Sequence, residues 1–308
     1  MKVASDSNFS SISSLIGGVD ASTTDGGVRA KVDLDSTGVD GIEMSIGGVN
    51  DFSAISSVTA NSDASNVDSS KAESSDSAGD LDSSALTSAW IYSASDSDVS
   101  GIATIDGGIS ASSTAKAAVA EGDFDADGIT DLKIGVGGMI DLAGQAQVNG
   151  DVSASSVSGA AEAASGANVN SATPNTAYTV WAYDSDASTV SGLKSIDIDV
   201  ASDATILGTA FGDFSTTAES TGADATANAA QTMRGIEDLN LNLGGSGTIN
   251  AIVSDTSYVS ASSVSGNASA TASVNAIGLD GGDIQIAGDA TIVSSVNVES
   301  DAVASTVG

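Results

Sequence analysis

The chain repeats itself at a shift of about 90 residues, and this repeat constrains its fold more than any other feature. Residues 4–24 and 94–114 share 11 identities over 21 positions. A longer shift aligns two identical segments, VSASSVSG, at 152–159 and 259–266. Self-similarity at a fixed period is typical of repeat proteins, in which each unit packs against its neighbours. We therefore expect a tandem array rather than the two globular domains that 308 residues would otherwise suggest.

The alignments divide the chain into three units and part of a fourth. We place the units at 1–90, 91–180 and 181–283, followed by a partial unit at 284–308. The third unit is longer than the others, and we assign its extra residues to an insert near 215–234. This stretch is rich in alanine and lacks a run of β-branched residues, so it is the most helix-like part of the sequence.

Short runs in which apolar and polar residues alternate predict β-strands. Two examples are residues 196–200, IDIDV, and residues 239–243, LNLNL. Period-two alternation places the apolar side chains on one face of a strand and the polar ones on the other. Glycine, aspartate, asparagine and serine separate the runs, as turns require. We predict an all-β fold, built as a repetitive β-solenoid or β-helix-like array.

Pairs of glycines suggest a finer period within each unit. The pairs lie at 17–18, 47–48, 107–108 and 137–138, so their positions differ by 30 or by a multiple of it. This spacing predicts three coils of about 30 residues in each unit. The narrow interior of such coils suits an aromatic content of 4%. The alternative is a row of tandem Ig-like β-sandwiches, because such domains contain roughly 100 residues.

Composition excludes several classes of function. The chain has no histidine and no cysteine, and its 41 acids outnumber its 8 bases to give a net charge of −33. It can therefore form no Ser-His-Asp triad, no cysteine nucleophile and no His or Cys metal site. Eight scattered bases cannot neutralise a row of phosphates, and no apolar run approaches the ~20 residues of a membrane helix. We expect a protein that is not an enzyme, binds no nucleic acid and does not insert into a membrane.

The sharpest local motif is GDFDADGITDL at residues 122–132. Its pattern D-x-D-x-D-G-x-x-D places hard oxygen atoms at alternate positions beside a glycine, which is the ligand chemistry that Ca²⁺ prefers. This segment resembles the calcium loops of integrin-type propeller repeats and of thrombospondin type 3 repeats. The resemblance implies a Ca²⁺ site formed by the side chains of Asp123, Asp125, Asp127 and Asp131 and the carbonyl of Ile129.

A weaker version of the motif lies at residues 33–40, DLDSTGVD. By the same resemblance it implies a second Ca²⁺ site at Asp33, Asp35 and Asp40. The remaining acids alternate along strands and are expected to form solvated faces. The aromatic pairs Trp90 with Tyr92 and Trp181 with Tyr183 are interpreted as core or corner side chains.

The repeats and the acidic, cysteine-free composition together favour a structural role. They are similar to repetitive surface-layer-like and fibre-like structural proteins of bacteria or their phages. This resemblance implies a non-enzymatic subunit of an extracellular or virion fibre, filament or surface layer that assembles with copies of itself. The alternative is a calcium-stabilised adhesin stalk that binds a cell surface or a glycan. No secretory leader is visible in the first residues, which predicts leaderless secretion or viral assembly.

Overall fold

The chain winds into a β-solenoid. The computed structural model describes residues 1–24, 27–66, 75–166 and 187–307. These residues form 17 strands and no helix, arranged in one seven-stranded and one ten-stranded sheet. All of the described strand pairs are parallel, and each pair joins one coil to the next. The predicted all-β solenoid is confirmed, and tandem Ig-like sandwiches are excluded because their sheets are antiparallel.

The strands alternate between the two sheets along most of the chain. In chain order they are β1 (Lys2–Val3), β2 (Ser7–Thr23), β3 (Val28–Asp40), β4 (Glu43–Ile46), β5 (Asn50–Asn66), β6 (Ser75–Thr87), β7 (Trp90–Ser93), β8 (Ser97–Ser113), β9 (Ala118–Val136), β10 (Ile140–Ser156), β11 (Ala161–Ser165), β12 (Ser188–Val200), β13 (Ala204–Ser220), β14 (Ala225–Leu243), β15 (Gly247–Ser263), β16 (Ala268–Ile286) and β17 (Ala290–Thr306).

The seven-stranded sheet consists of strands of equal length, namely β2, β5, β8, β10, β13, β15 and β17. Each has 17 residues. At about 3.3 Å per residue, these strands are about 56 Å long. The other strands form the ten-stranded sheet, in which a layer is either one strand of 19 residues, such as β9, or two shorter strands, such as β6 and β7. Alternate side chains of both sheets enter a shared core.

The coil is longer than the glycine pairs predict. Ser7 pairs with Asn50, and Ser97 pairs with Ile140, so the chain advances by 43 in each of these coils. Between them Asn50 pairs with Ser97, an advance of 47. The 90-residue repeat of the sequence therefore spans two coils, and the prediction of three coils per unit is wrong.

The glycine pairs give the wrong coil length because they occupy two different kinds of position in the fold. Pairs 17–18 and 107–108 lie within β2 and β8, whereas pairs 47–48 and 137–138 lie in turns that lead into the seven-stranded sheet. Within each class the positions differ by 90, which is two coils. The apparent spacing of 30 separates a strand position from a turn position of the same coil.

Turns into the seven-stranded sheet explain why the sequence repeats every second coil. Ala-Ser-Asp turns at 4–6, 94–96 and 201–203 alternate with Gly-Gly turns at 47–48, 137–138 and 244–245. In the middle pair, the Asp96 carboxylate accepts a hydrogen bond from the Met139 amide at 2.9 Å. A Cβ atom at Gly138 would collide with this carboxylate, so an aspartate in one turn requires glycine in the next.

The residues near 215–234 are not an insert, and this part of the prediction is also wrong. Residues 215–220 end β13 and residues 225–234 begin β14, and both segments pair continuously with the following coil. Alternate alanines of β14, Ala225 and Ala227, are buried in the narrow core, so packing overrides the helix propensity of this stretch.

The extra residues lie earlier in the chain. Ile140 pairs with Ala204, so the chain advances by 64 in this coil rather than by 43. The ladder places the difference between Ser165 and Ser188, because both flanking segments keep their register with β9. The boundaries of the predicted units fall within β7 and within β16, while residues 180–181 lie outside the described residues. The division into units stays a prediction.

The core is thin because small side chains recur at the same interior positions. One in-register column contains only alanine: Ala21, Ala64, Ala111, Ala154, Ala218, Ala261 and Ala304. At another line the sheets approach so closely that a Cβ atom on Gly128 would lie 2.6 Å from the backbone nitrogen of Gln145. The largest fully buried side chains include Phe124 and Phe214, whose ring centroids are 6.4 Å apart.

The ten-stranded sheet bends at one position of each coil. There the backbone adopts left-handed φ angles of 52° to 74° at Gly41, Ser88, Asp131, Ser195, Asp238 and Gly281. Such angles are uncommon outside glycine, but aspartate tolerates them better than most residues do. We call this line the kink. It divides the outer face of the ten-stranded sheet into two regions with different chemistry.

Candidate functional site

Six aspartates form a grid on the outer face of the ten-stranded sheet, on the N-terminal side of the kink. One row contains Asp33, Asp80 and Asp123, and the second contains Asp35, Asp82 and Asp125. Neighbouring strands are about 4.8 Å apart, so each carboxylate faces a like charge in the next coil. We call these six residues the acid grid. It unites four residues that the sequence assigns to two separate calcium sites.

Strand β6 supplies the two members that sequence reasoning missed, Asp80 and Asp82. The segment Asp-Leu-Asp at 33–35 recurs as Asp-Leu-Asp at 80–82. The two copies are separated by one coil, so a search at single-coil shifts would have found them. The 90-residue shift passes over every second coil and therefore over this strand.

The acid grid does not have the geometry of a calcium loop. Within β9, alternate residues on one face are about 6.7 Å apart, whereas two oxygen ligands of one Ca²⁺ ion lie within about 5 Å of each other. Asp123, Asp125 and Asp127 lie in a row along an extended strand rather than in a loop that could wrap around an ion. Among the residues that the structure describes, no group of three or more acidic side chains is placed to hold a metal ion. Calcium binding by the grid stays a prediction.

The other predicted ligands are dispersed. The Ile129 side chain is fully buried in the core, and Asp131 is an exposed residue of the kink. Asp127 is half-buried, and its burial raises the pKa of the carboxyl group while Lys194 opposes this shift. Asp40 accepts a hydrogen bond from the Thr87 hydroxyl at 3.0 Å and is not part of the acid grid. The members of each predicted ligand set thus have different surroundings, and both calcium sites stay predictions.

Electrostatic strain in the acid grid is visible in its pKa values. Burial, followed by repulsion from neighbouring aspartates, raises the pKa of Asp82 and of Asp123 to about 7. Burial is also the main reason why the pKa values of Asp80 and Asp125 are raised. For Asp125, a hydrogen bond from the Thr189 amide at 2.6 Å partly opposes the rise in pKa, because it stabilises the charged carboxylate. Asp82 and Asp123 therefore hold protons at a pH where ordinary aspartates have lost them.

A second polar region lies on the other side of the kink. We call it the aromatic strip, and it contains Trp90 and Tyr92 of β7, Lys133 of β9, Asp197 and Asp199 of β12, Asn240 and Asn242 of β14, and Asp283 and Gln285 of β16. These residues occupy two alternate outward positions of successive strands, so they form two parallel columns. The strip is about 19 Å long across four strand steps.

The two rings of the strip are exposed. Trp90 is 60% exposed and Tyr92 is 53% exposed, while Ile91 between them is fully buried. The interpretation of this pair as core or corner side chains is wrong, because the alternation of β7 directs both rings to solvent. Trp181 and Tyr183 lie outside the described residues.

Two adjoining shallow cavities lie along the strip from β9 to β16, and the two rings do not line them. Their volumes are about 650 Å³ and about 400 Å³, and Asp197 and Asn240 line both. Contacts join some of the side chains that line them: the Asn242 amide donates to Asp199 at 3.0 Å, and the Lys133 ammonium is 3.9 Å from Asp197. Here acids alternate with amides and a base, unlike the rows of the acid grid.

One further acid lies inside the solenoid. Asp255 is fully buried on the interior face of β15, where its carboxylate occupies the space that the missing side chain of Gly212 leaves open. It accepts a hydrogen bond from the Ser257 hydroxyl at 2.7 Å. Burial raises the pKa of Asp255 to about 6. Alternation along β15 places Asp255 on the same face as the buried Val253 and Val259, so the pattern of its strand indicates an interior position.

Comparisons with known proteins identify no relative. A scan of protein-family models, a search of curated proteins and a search of solved structures each found no match. In the described part of the chain, no helix is long and apolar enough to cross a membrane.

Proposed function

We propose that the chain is a non-enzymatic structural protein, a subunit of an extracellular or virion fibre, filament or surface layer that assembles through its β-rich coils. The observation that carries this proposal is the continuity of the coil pattern at both outer strands of the seven-stranded sheet. Among the described strands, β2 pairs only with β5 in this sheet, and β17 pairs only with β15. Each therefore presents an edge of backbone donors and acceptors, which pairs readily with a further strand.

The interior columns of the two outer strands are complementary. If β2 of a second copy continued the register of β17, Phe9 would meet Ile292, and Leu15 would meet Val298. Ile292 is 49% exposed and Val298 is 42% exposed, although both face the interior side of their strand. Covering such apolar surface stabilises association by about 25 cal/mol for each Å² removed from water.

The same stacking would be incomplete in the ten-stranded sheet. In the second copy, only Lys2 and Val3 of β1 would lie beside β16. The next long strand of that copy, β3, would lie one layer further away from β16. We therefore expect assembly that is weak and depends on concentration, with a junction held mainly by the seven-stranded sheet. Heterologous contacts of this kind do not close on themselves and produce filaments.

A matched pair of variants tests the proposal. Ile292→Lys places a charge on the interior side of β17, and Val303→Lys places the same charge on its outer side, where the valine is similarly exposed at 43%. We expect negative-stain microscopy and sedimentation velocity to show filaments or concentration-dependent oligomers of the unaltered protein. Ile292→Lys should abolish them and Val303→Lys should leave them. Monomers at every concentration, or equal effects of both substitutions, would contradict the proposal.

A further inference from the structure

We propose that the aromatic strip is a binding site for a neutral polysaccharide. This inference does not rest on the proposed assembly, because the strip lies on the outer face of the ten-stranded sheet and only its last strand, β16, would border an added copy. It rests on three observations: two exposed rings, a shallow groove that begins at Lys133, the register partner of Trp90, and side chains along the groove that both donate and accept hydrogen bonds.

The rings provide a flat apolar platform. Trp90 pairs in register with Lys133, and Tyr92 pairs with Gly135 of the same strand. A Cβ atom on Gly135 would lie 3.2 Å from the Tyr92 ring, so the glycine leaves room for the ring to lie across the sheet. Tryptophan and tyrosine carry large rigid faces and dominate binding energy at many recognition sites. The C–H face of a pyranose ring matches such a platform.

The groove provides polar groups of the kind that adjacent sugar hydroxyls require. Carboxylates accept hydrogen bonds, whereas the amides of asparagine and glutamine both donate and accept. The contact between Asn242 and Asp199 uses one hydrogen of the amide and one carboxylate oxygen, which leaves further donors and acceptors at each side chain. A site that is shallow and elongated, with polar groups along its length, suits an extended chain rather than the compact ligand that an enclosed pocket would take.

Charge and composition decide between classes of ligand. The strip contains Lys133 against Asp197, Asp199 and Asp283, so it repels nucleic acids, anionic lipids and acidic polysaccharides. A protein partner would need an apolar centre surrounded by a polar rim. The strip has two rings at one end and only polar side chains along the groove. A neutral polysaccharide needs neither a positive charge nor a broad apolar centre.

Affinity electrophoresis in native gels tests the inference, since the net charge of −33 ensures migration. The probes are laminarin, hydroxyethylcellulose and galactomannan as neutral polysaccharides, with alginate as the anionic comparison. We expect at least one neutral polymer to retard the unaltered protein and alginate not to do so. Trp90→Ala should weaken this binding about tenfold or more, as loss of a central aromatic contact does.

Two variants control for folding and for nonspecific binding. Trp90→Phe keeps an aromatic face and should retain most of the binding. Tyr258→Ala removes a tyrosine that is 45% exposed on the outer face of the seven-stranded sheet, and it should bind as the unaltered protein does. Circular dichroism checks that Trp90→Ala folds. The inference is overturned if no neutral polymer binds, if Trp90→Ala binds normally, if alginate binds equally well, or if Trp90→Ala changes only the oligomeric state.

Discussion

The acid grid and the aromatic strip lie on the same sheet, yet the parallel register affects them in opposite ways. In the grid, register places aspartate beside aspartate through three successive coils. In the strip, it places Asp199 beside Asn242 and Lys133 beside Asp197. A parallel ladder brings equivalent residues within about 4.8 Å of each other, so an acid repeated in every coil creates repulsion and a varied column does not.

This difference separates what is shared by all coils from what is local. Identical residues can stack in the interior columns, because stacked alanines or phenylalanines only add contacts. Identical acids in the outer columns repel each other. The grid ends at β12, where the Thr189 amide donates to Asp125 and the Ser188 hydroxyl donates to Asp123 at 3.3 Å. The grid is therefore a local feature of β3, β6 and β9, created where three coils repeat the same acids.

The largest effect should come from removing charge from the acid grid. The folded-state pKa of Asp82 and of Asp123 is about 7, above the ordinary value of 3.8. Their contribution to stability is therefore fully present below pH 4 and is lost as the pH rises through about 7. We expect the double substitution Asp82→Asn and Asp123→Asn to raise the free energy of unfolding at pH 8 by about 2 kcal/mol, after allowance for solvent screening.

Thermal melting from pH 4 to pH 8 provides the measurement. The unaltered protein should lose stability across this range, and the double variant should lose less. Asp301→Asn is the matched control, because it makes the same change at an exposed position outside the grid. If this control flattens the pH profile as strongly as the double variant does, total charge rather than the grid causes the effect.

A smaller effect should come from calcium, and it tests the prediction drawn from the motif. The rows of the grid place carboxylates of adjacent coils close enough for one divalent ion to contact two of them. If Ca²⁺ binds there with a dissociation constant of about 1 mM, adding about 10 mM Ca²⁺ should stabilise the fold by about 1.4 kcal/mol. The stabilisation should disappear in the double variant and persist in Asp131→Asn. Equal stabilisation of all three proteins, or none, would show that the grid does not bind calcium.

The sequence was sufficient for the fold class and for the existence of a repeat, but not for the coil. Period-two alternation and turn residues identify β-strands, and self-similarity identifies stacking. The length of a coil can be read from a repeat only if each copy corresponds to one coil. Turns with aspartate, such as Asp96, alternate with turns with glycine, such as Gly138, so similar sequences recur only at every second coil. The alanine-rich stretch that begins β14 looked helical because propensity describes an isolated segment, whereas a narrow core selects small side chains whatever their preference.

The candidate sites were less predictable for a related reason. The motif at 122–132 resembles a loop in its sequence, since aspartates around a glycine form loops in many proteins. In this chain the same residues form a strand, and their partners come from β6 and β3, one and two coils earlier. The exposure of Trp90 likewise depends on which face of β7 meets the core, and so short a strand carries too little pattern to decide it.

The smallest expected effect comes from making the strip resemble the grid. Asn242→Asp replaces the amide that donates to Asp199 with a second carboxylate about 4.8 Å away. Both side chains are exposed, so solvent screens the repulsion, and we expect the free energy of unfolding at pH 8 to fall by about 0.5 kcal/mol. At pH 3, below the ordinary pKa of aspartate, the difference should vanish.

The control is Asn61→Asp, at an exposed position of β5 beside Gly18 and Gly108. It makes the same change without an acid at either paired position and should have no measurable effect. A loss in Asn242→Asp as large as the gain in the grid variant would mean that burial contributes little, and that the two regions differ in register alone.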